Sequence, residues 1–105
     1  MALKRSDIPR PVLPAEAVDV PEMGGEVIVR GLRLSQRLEL GIKFRENRMR
    51  QMSEMLAICV VDADGEAVFS ADEWEDFGAR NYDAALRLSN VAQRLSGFER
   101  AEAEK

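Results

Sequence analysis

Apolar side chains recur every three or four residues through the middle of the chain, and this spacing predicts a helix with one buried stripe. We expect the helix to begin at Gln36, with Ser35 as its N-cap. Gly41 weakens a helix by up to about 1 kcal/mol relative to alanine, so we expect a kink or break within residues 41–47. The predicted buried stripe consists of Leu38, Ile42, Met49, Met52, Leu56 and Cys59.

Two further helices have recognisable starts. Ser70 and Glu73 have the spacing of a capping box, and Trp74 and Phe77 mark the buried side of the short helix that follows. Asn81 is a candidate cap for a last helix, whose apolar positions follow one another at steps of four and three. That stripe consists of Ala84, Leu88, Val91, Leu95 and Phe98.

Short β-branched runs predict a small sheet beside these helices. Residues 26–30 lie between glycines and read as a strand. Residues 56–61 are apolar on every side, so we expect the end of the middle helix to enter the core there. A turn at residues 62–65 precedes a second brief strand over residues 66–69. The predicted fold class is therefore mainly α with a small β element (α+β), with three to four helices in one small domain.

All four prolines lie within the first 23 residues, at Pro9, Pro11, Pro14 and Pro21. Proline lacks a backbone donor and biases the preceding residue to extended conformations. We therefore predict that residues 1–23 form an extended arm that is ordered only against another surface, or a flexible leader. Residues 24–98 form the predicted helical domain with its short strands, and residues 99–105 a charged tail.

Composition excludes several classes of protein. A chain of 105 residues supports one modest core, and it has no apolar run near the roughly 20 residues of a membrane span. The single cysteine excludes an intrachain disulfide, and the absence of histidine removes Ser-His and Cys-His nucleophile pairs. A net charge of -4 without a long basic stripe argues against a nucleic-acid partner.

No residue pattern supports catalysis. Cys59 lies between Ile58 and Val60 and is expected to be a small buried hydrophobe. The Asp-Ala-Asp-Gly turn lacks the ligand spacing of a calcium loop, and no glycine-rich phosphate loop is present. We therefore predict no enzyme activity, no metal and no cofactor.

Charge is divided unevenly along the chain. Residues 1–50 carry ten Lys/Arg and seven Asp/Glu (+3), and residues 51–105 carry five and twelve (-7). This asymmetry favours head-to-tail self-association, with two solvated faces of one domain as the alternative. The residues predicted to pair between copies are Arg45, Arg48 and Arg50 with Asp72, Glu73, Glu75 and Asp76.

Three methionines lie on or beside the stripe of the middle helix. Met49, Met52 and Met55 are a candidate apolar surface for a partner, because methionine adapts to varied binding surfaces. Ordinary core filling is the alternative.

Three segments, taken in order, resemble the tail assembly chaperones of long-tailed bacteriophages. The first is Val-Pro-Glu-Met-Gly-Gly-Glu-Val-Ile-Val-Arg-Gly-Leu at residues 20–32, with Met23 where the family pattern has tryptophan. The second is Leu-Ala-Ile-Cys-Val-Val-Asp-Ala-Asp-Gly-Glu-Ala-Val-Phe at residues 56–69, followed by the capped acidic helix. The third is Val-Ala-Gln-Arg-Leu-Ser-Gly at residues 91–97, so that the likeness spans about residues 20–98.

The resemblance implies a scaffold without catalytic residues. Such chaperones coat the long helical tape measure protein in the cytoplasm of the bacterial host, promote tail tube assembly and are absent from the mature virion. Many are made in two forms by a ribosomal frameshift, and the longer form recruits tail tube protein. The resemblance makes this chain a short form, acting as a homo-oligomer without nucleic acid or membrane.

Two other functions stay open from the sequence. The first is a structural head–tail connector or tail-terminator subunit that remains in the mature particle. The second is a small protein-binding adaptor unrelated to virion assembly.

Overall fold

A computed structural model describes residues 1–97 of the chain. Residues 1–14 lie outside the sheet and have exposed side chains, with one 3-10 turn at Arg5–Asp7. The strands are β1 (Ala15–Val20), β2 (Gly25–Arg30) and β3 (Val60–Val61). The helices are α1 (Leu34–Glu46), α2 (Gln51–Cys59), α3 (Ala71–Arg80) and α4 (Tyr82–Leu95), with 3-10 turns at Pro21–Met23 and Arg48–Arg50.

The three strands form an antiparallel sheet in the order β1-β2-β3. Val18 of β1 lies opposite Val27 of β2, and Val29 of β2 lies opposite Val60 of β3. Side chains alternate between the two faces of a strand, so Val20, Val29 and Val60 share the face that packs on the helices. All three are buried.

The core lies between this sheet face and helices α2, α3 and α4. Leu56, Leu88 and Val29 belong to one cluster of buried side chains from two helices and the sheet. Phe69 and Phe77 pack around the buried Trp74, with ring centroids 5.0 Å and 5.4 Å from the Trp74 ring in edge-to-face geometry. Such aromatic pairs add to the stabilisation from burial and fix α3 against the end of the loop before it.

The structure confirms the predicted α+β class. β2 covers the predicted strand, and the break in the middle helix falls at Asn47, within the expected range. The capping box is also formed, because the Ser70 side chain accepts a hydrogen bond from the Glu73 amide and the Glu73 carboxylate accepts one from the Ser70 amide. In α4, Ala84 and Leu88 are fully buried as predicted. Phe98 and residues 99–105 lie outside the described residues.

The prediction for the start and buried face of α1 was wrong. The helix begins at Leu34 rather than Gln36, with Arg33 as its N-cap. Leu38 and Ile42 are exposed, and Leu40 is buried in their place. Helical positions two residues apart are separated by about 200°, so the buried side of α1 is opposite the predicted one.

The predictions for residues 60–61, as the end of a helix, and for residues 66–69, as a strand, also differ from the structure. Val60–Val61 forms β3 instead of extending the middle helix. The two valines pair with β2, which is the central strand of the sheet. In residues 66–69, Ala67 makes a single bridge to Val61 and no regular strand forms. Strand β1 was not predicted, and it places residues 15–20 of the predicted arm in the sheet.

No helix within residues 1–97 is long and apolar enough to cross a membrane.

Candidate functional site

Helix α1 has apolar side chains on two opposite faces. Leu40 and Phe44 pack on the core from one face. On the other face, Leu34, Leu38 and Ile42 follow one another at steps of four and are 75%, 62% and 56% exposed. We name these three residues the outer stripe. Three large aliphatic side chains aligned on an exposed helix face are typical of a protein-binding surface.

The three predicted methionines have three different environments. Met49 lies in the 3-10 turn Arg48–Arg50 directly after α1 and is 90% exposed. Met52 is half-buried against the core, and Met55 is only 2% exposed. The structure therefore leaves Met49 and part of Met52 accessible to a partner, whereas Met55 fills the core.

Met49 and Met52 line both of two shallow grooves. One groove, of about 410 Å³, continues past Met55 to Ser89 and Gln93 of α4. The other, of about 380 Å³, runs between α2 and α3 and extends to Tyr82 at the start of α4. The side chains of both methionines are thus accessible from grooves that extend onto the helices on either side.

The predicted basic and acidic groups partly pair inside one chain. The Arg50 guanidinium lies 2.9 Å from the Asp72 carboxylate and 3.5 Å from that of Glu54. The hydrogen bond with Asp72 raises the pKa of Arg50 further above its usual value, so Arg50 stays charged. The remaining predicted residues, which are exposed, are Arg45, Arg48, Glu73, Glu75 and Asp76.

The ion pair between Arg50 and Asp72 links the basic half of the chain, residues 1–50, to the acidic half, residues 51–105. The Arg48–Arg50 turn precedes α2, and Asp72 lies in the first turn of α3, where a negative charge is favoured. Arg50 and Asp72 are therefore already paired with each other in the isolated protein. The other predicted charged residues are the ones available to another copy.

Cys59 is buried at the end of α2, as the sequence predicted. Burial raises the pKa of the thiol to about 11, although a hydrogen bond with Ser96 and the charge of Arg30 act in the opposite direction. A neutral, buried thiol is a poor nucleophile. Within the described part of the chain, no group of three His, Cys, Asp or Glu residues could hold a metal ion.

Sequence reasoning missed the outer stripe as a surface. The signal was present, because Leu34, Leu38 and Ile42 have the spacing of one helix face and Leu40 and Phe44 that of the other. Nothing in the spacing states which face the core will cover.

The sheet and helices together have the fold of a bacteriophage tail assembly chaperone. A solved structure of the bacteriophage HK97 tail assembly chaperone is similar over 86% of this chain and 88% of that chain. The TM-score is 0.62 at 23% sequence identity. At the level of the fold, this likeness confirms the resemblance found in the sequence. No protein-family model and no curated protein matches the chain.

Proposed function

We propose that this protein is a tail assembly chaperone that binds and solubilises a tape measure protein and promotes tail tube assembly. The observation that carries the proposal is the fold shared with the HK97 tail assembly chaperone over most of both chains. The resemblance of residues 20–32, 56–69 and 91–97 to that family adds support from the sequence.

The outer stripe and Met49 are the proposed surface for the tape measure protein. A long helical protein with an apolar face stays soluble when that face is covered, and the outer stripe offers apolar side chains at helical spacing. Full burial of one such aliphatic side chain contributes about 1.5–3 kcal/mol, so a few side chains give a contact that is specific yet reversible. Met49 adds an unbranched side chain that adapts to different partner surfaces.

Many copies on one extended partner are expected to contact each other. The exposed charges Arg45 and Arg48 in one copy, facing Glu73, Glu75 and Asp76 in the next, remain the predicted pairs. Tail tube protein is the second proposed partner, through a longer form of the chaperone. The proposed site of action is the cytoplasm of the bacterial host.

Co-expression with the tape measure protein encoded nearby tests the proposal. We expect wild-type chaperone to keep the tape measure protein in the soluble fraction, in a complex whose mass by light scattering shows several chaperone copies. Leu38→Gln combined with Ile42→Gln should reduce the soluble tape measure protein at least about tenfold, because both side chains lose apolar contact area.

A matched control is Leu3→Gln, which makes the same kind of change at a residue that is 70% exposed and lies outside α1. Exposed substitutions of this kind alter stability by no more than about 0.5 kcal/mol, so the variants should unfold together. If the wild type leaves the tape measure protein insoluble, the proposed function is wrong. If the double variant solubilises it as well as wild type does, the function stands and the outer stripe is not the surface.

A further inference from the structure

The two edges of the sheet differ in how they are covered. At the β3 edge, the Val60 carbonyl accepts a hydrogen bond from the Val68 amide and the Asp62 amide donates to the Glu66 carbonyl. The chain itself therefore covers that edge. At the β1 edge, no other segment of residues 1–97 pairs with the strand.

The register of the hairpin identifies which groups of β1 are free. The Pro14 carbonyl accepts a hydrogen bond of 2.9 Å from the Gly31 amide. Hydrogen-bonded and non-hydrogen-bonded pairs alternate along an antiparallel ladder, so Glu16, Val18 and Val20 bond to β2 in the same way. The amides and carbonyls of Ala15, Ala17 and Asp19 consequently point away from β2. We name this row the free edge.

The free edge is open to strand addition. An unpaired strand edge is a template for another extended segment, and natural proteins usually block it with proline or a covering loop. β1 contains no proline, and two of its three outward positions are alanines with small side chains.

Residues 1–14, which precede β1, are called the arm from here on. The spacing of their prolines leaves only one edge of the arm able to pair with another strand. Pro9 and Pro11 are two residues apart, so in an extended chain their missing donors lie on the same edge. Arg10 and Val12 keep their amides on the opposite edge, whereas the Ile8 amide donates to the Arg5 carbonyl of the preceding 3-10 turn. Residues that precede proline favour extended backbone, and the Ile8 backbone is already extended. The arm therefore loses little conformational freedom when it pairs.

Charge favours the same contact. Residues 1–14 carry Lys4, Arg5 and Arg10 against Asp7, a net charge of +2. Asp19 and Glu26 lie directly opposite each other on β1 and β2, both exposed. Like charges at paired positions repel, and a basic segment added beside them relieves that repulsion.

We infer that residues 8–12 of one copy add as a strand to the free edge of β1 in a second copy of this chain. The inference rests on the proposed self-association and gives it a structural basis. Each copy has one arm and one free edge, and the prolines prevent a further strand from adding to the arm. Contacts between copies therefore run head to tail, or close on themselves in a reciprocal pair.

Two single substitutions test the two halves of the contact. Ala17→Pro removes an amide on the free edge and leaves the hydrogen bonds between β1 and β2 in place. Arg10→Pro removes one of the two amide donors of residues 8–12 that are able to pair, outside the folded core. Sedimentation velocity should show that wild type self-associates and that either variant associates at least about tenfold more weakly, because a backbone carbonyl loses its partner.

Matched controls separate the amide from the charge and from the fold. Arg10→Ala removes the charge but keeps the amide, and we expect it to associate more strongly than Arg10→Pro. Pro9→Ala leaves the donors of residues 10 and 12 unchanged and should also associate more strongly than Arg10→Pro. Thermal unfolding of Ala17→Pro checks that the sheet is intact, and Arg10→Pro still tests the inference if it is not.

Mixing the two variants is the decisive measurement. Ala17→Pro retains a competent arm and Arg10→Pro retains a free edge, so an equimolar mixture should form a 1:1 heterodimer and nothing larger in salt that screens the proposed charge pairs. A wild-type chain that stays monomeric, variants that associate like wild type, or a mixture that stays monomeric would each overturn the inference. The assay contains no tape measure protein, so its failure leaves the proposed binding of that protein untouched.

Discussion

At the scale of single residues, the methionines show how burial divides one residue type into two roles. Met55 is 2% exposed and packs in the core, whereas Met49 is 90% exposed. We predict that Met55→Ala lowers the free energy of unfolding by about 2–4 kcal/mol, because it leaves a cavity among close-packed neighbours. Met49→Ala should change it by less than about 0.5 kcal/mol. Urea unfolding measures both, and equal effects would contradict the assignment of Met55 to the core.

The buried thiol gives a prediction for alkaline pH. Burial raises the pKa of Cys59 from 9.0 to about 11, so the folded protein favours the neutral thiol more than the unfolded chain does. The resulting stabilisation is complete below pH 9 and is lost as the pH rises through 11, up to about 3 kcal/mol in all. Between these values, wild type should lose stability more steeply than Cys59→Ala.

Denaturant unfolding of both proteins from pH 8 to pH 11 supplies the comparison. All other side chains are the same in the two proteins, so their contributions cancel in the difference between them. Parallel pH profiles would show that the thiol ionises equally easily in the folded and unfolded states.

At the scale of elements, local signals in the sequence predicted what local physics decides. The capping box of Ser70 and Glu73 forms because its hydrogen bonds lie within one turn. The buried side of α4 followed from one dominant apolar stripe that includes Ala84 and Leu88. Both features depend on residues close together in the chain, which is why spacing was sufficient.

The errors fall where tertiary contacts decide between equal local options. α1 has apolar residues on opposite faces, and contacts with the core select Leu40 over Leu38. Val60 and Val61 are good strand formers after a helix, and pairing with β2 ends α2 at Cys59. The sequence did not predict β1 because its alternating alanine, acidic and valine residues are only weakly apolar. Pairing with β2 is what makes this segment a strand.

The candidate site was predictable in part for the same reason. Residue type led to the prediction that the methionines and the charged residues contact partners, and of these residues Met49 and Arg48 are exposed. Burial of Met55 and pairing of Arg50 with Asp72 depend on the packing of α2 against α3, which the sequence spacing does not contain. The outer stripe is exposed because the core covers the opposite side of α1, and that choice depends on tertiary contacts.

At the scale of the whole molecule, three segments distant in sequence converge at Gly31. The residue follows β2 and lies beside Pro14 at the base of the arm and Leu95 at the end of α4. A Cβ atom added at Gly31 would lie 2.7 Å from the Leu95 carbonyl oxygen and 3.2 Å from Pro14 Cγ. Because a backbone atom must move to relieve the first contact, this position limits how closely the sheet and α4 approach.

Gly31→Ala should therefore lower the free energy of unfolding by about 1–3 kcal/mol, through overpacking where the arm, the sheet and α4 meet. Gly41→Ala is the matched control, since the same methyl group there meets nothing within 4 Å and lies inside α1. It should raise stability by up to about 1 kcal/mol by restricting the unfolded chain and favouring the helix. Urea unfolding of both variants, at a protein concentration where the chain is monomeric, shows whether each substitution lowers or raises the free energy of unfolding. Equal signs would mean that backbone preference, and not the close approach of α4, determines the role of Gly31.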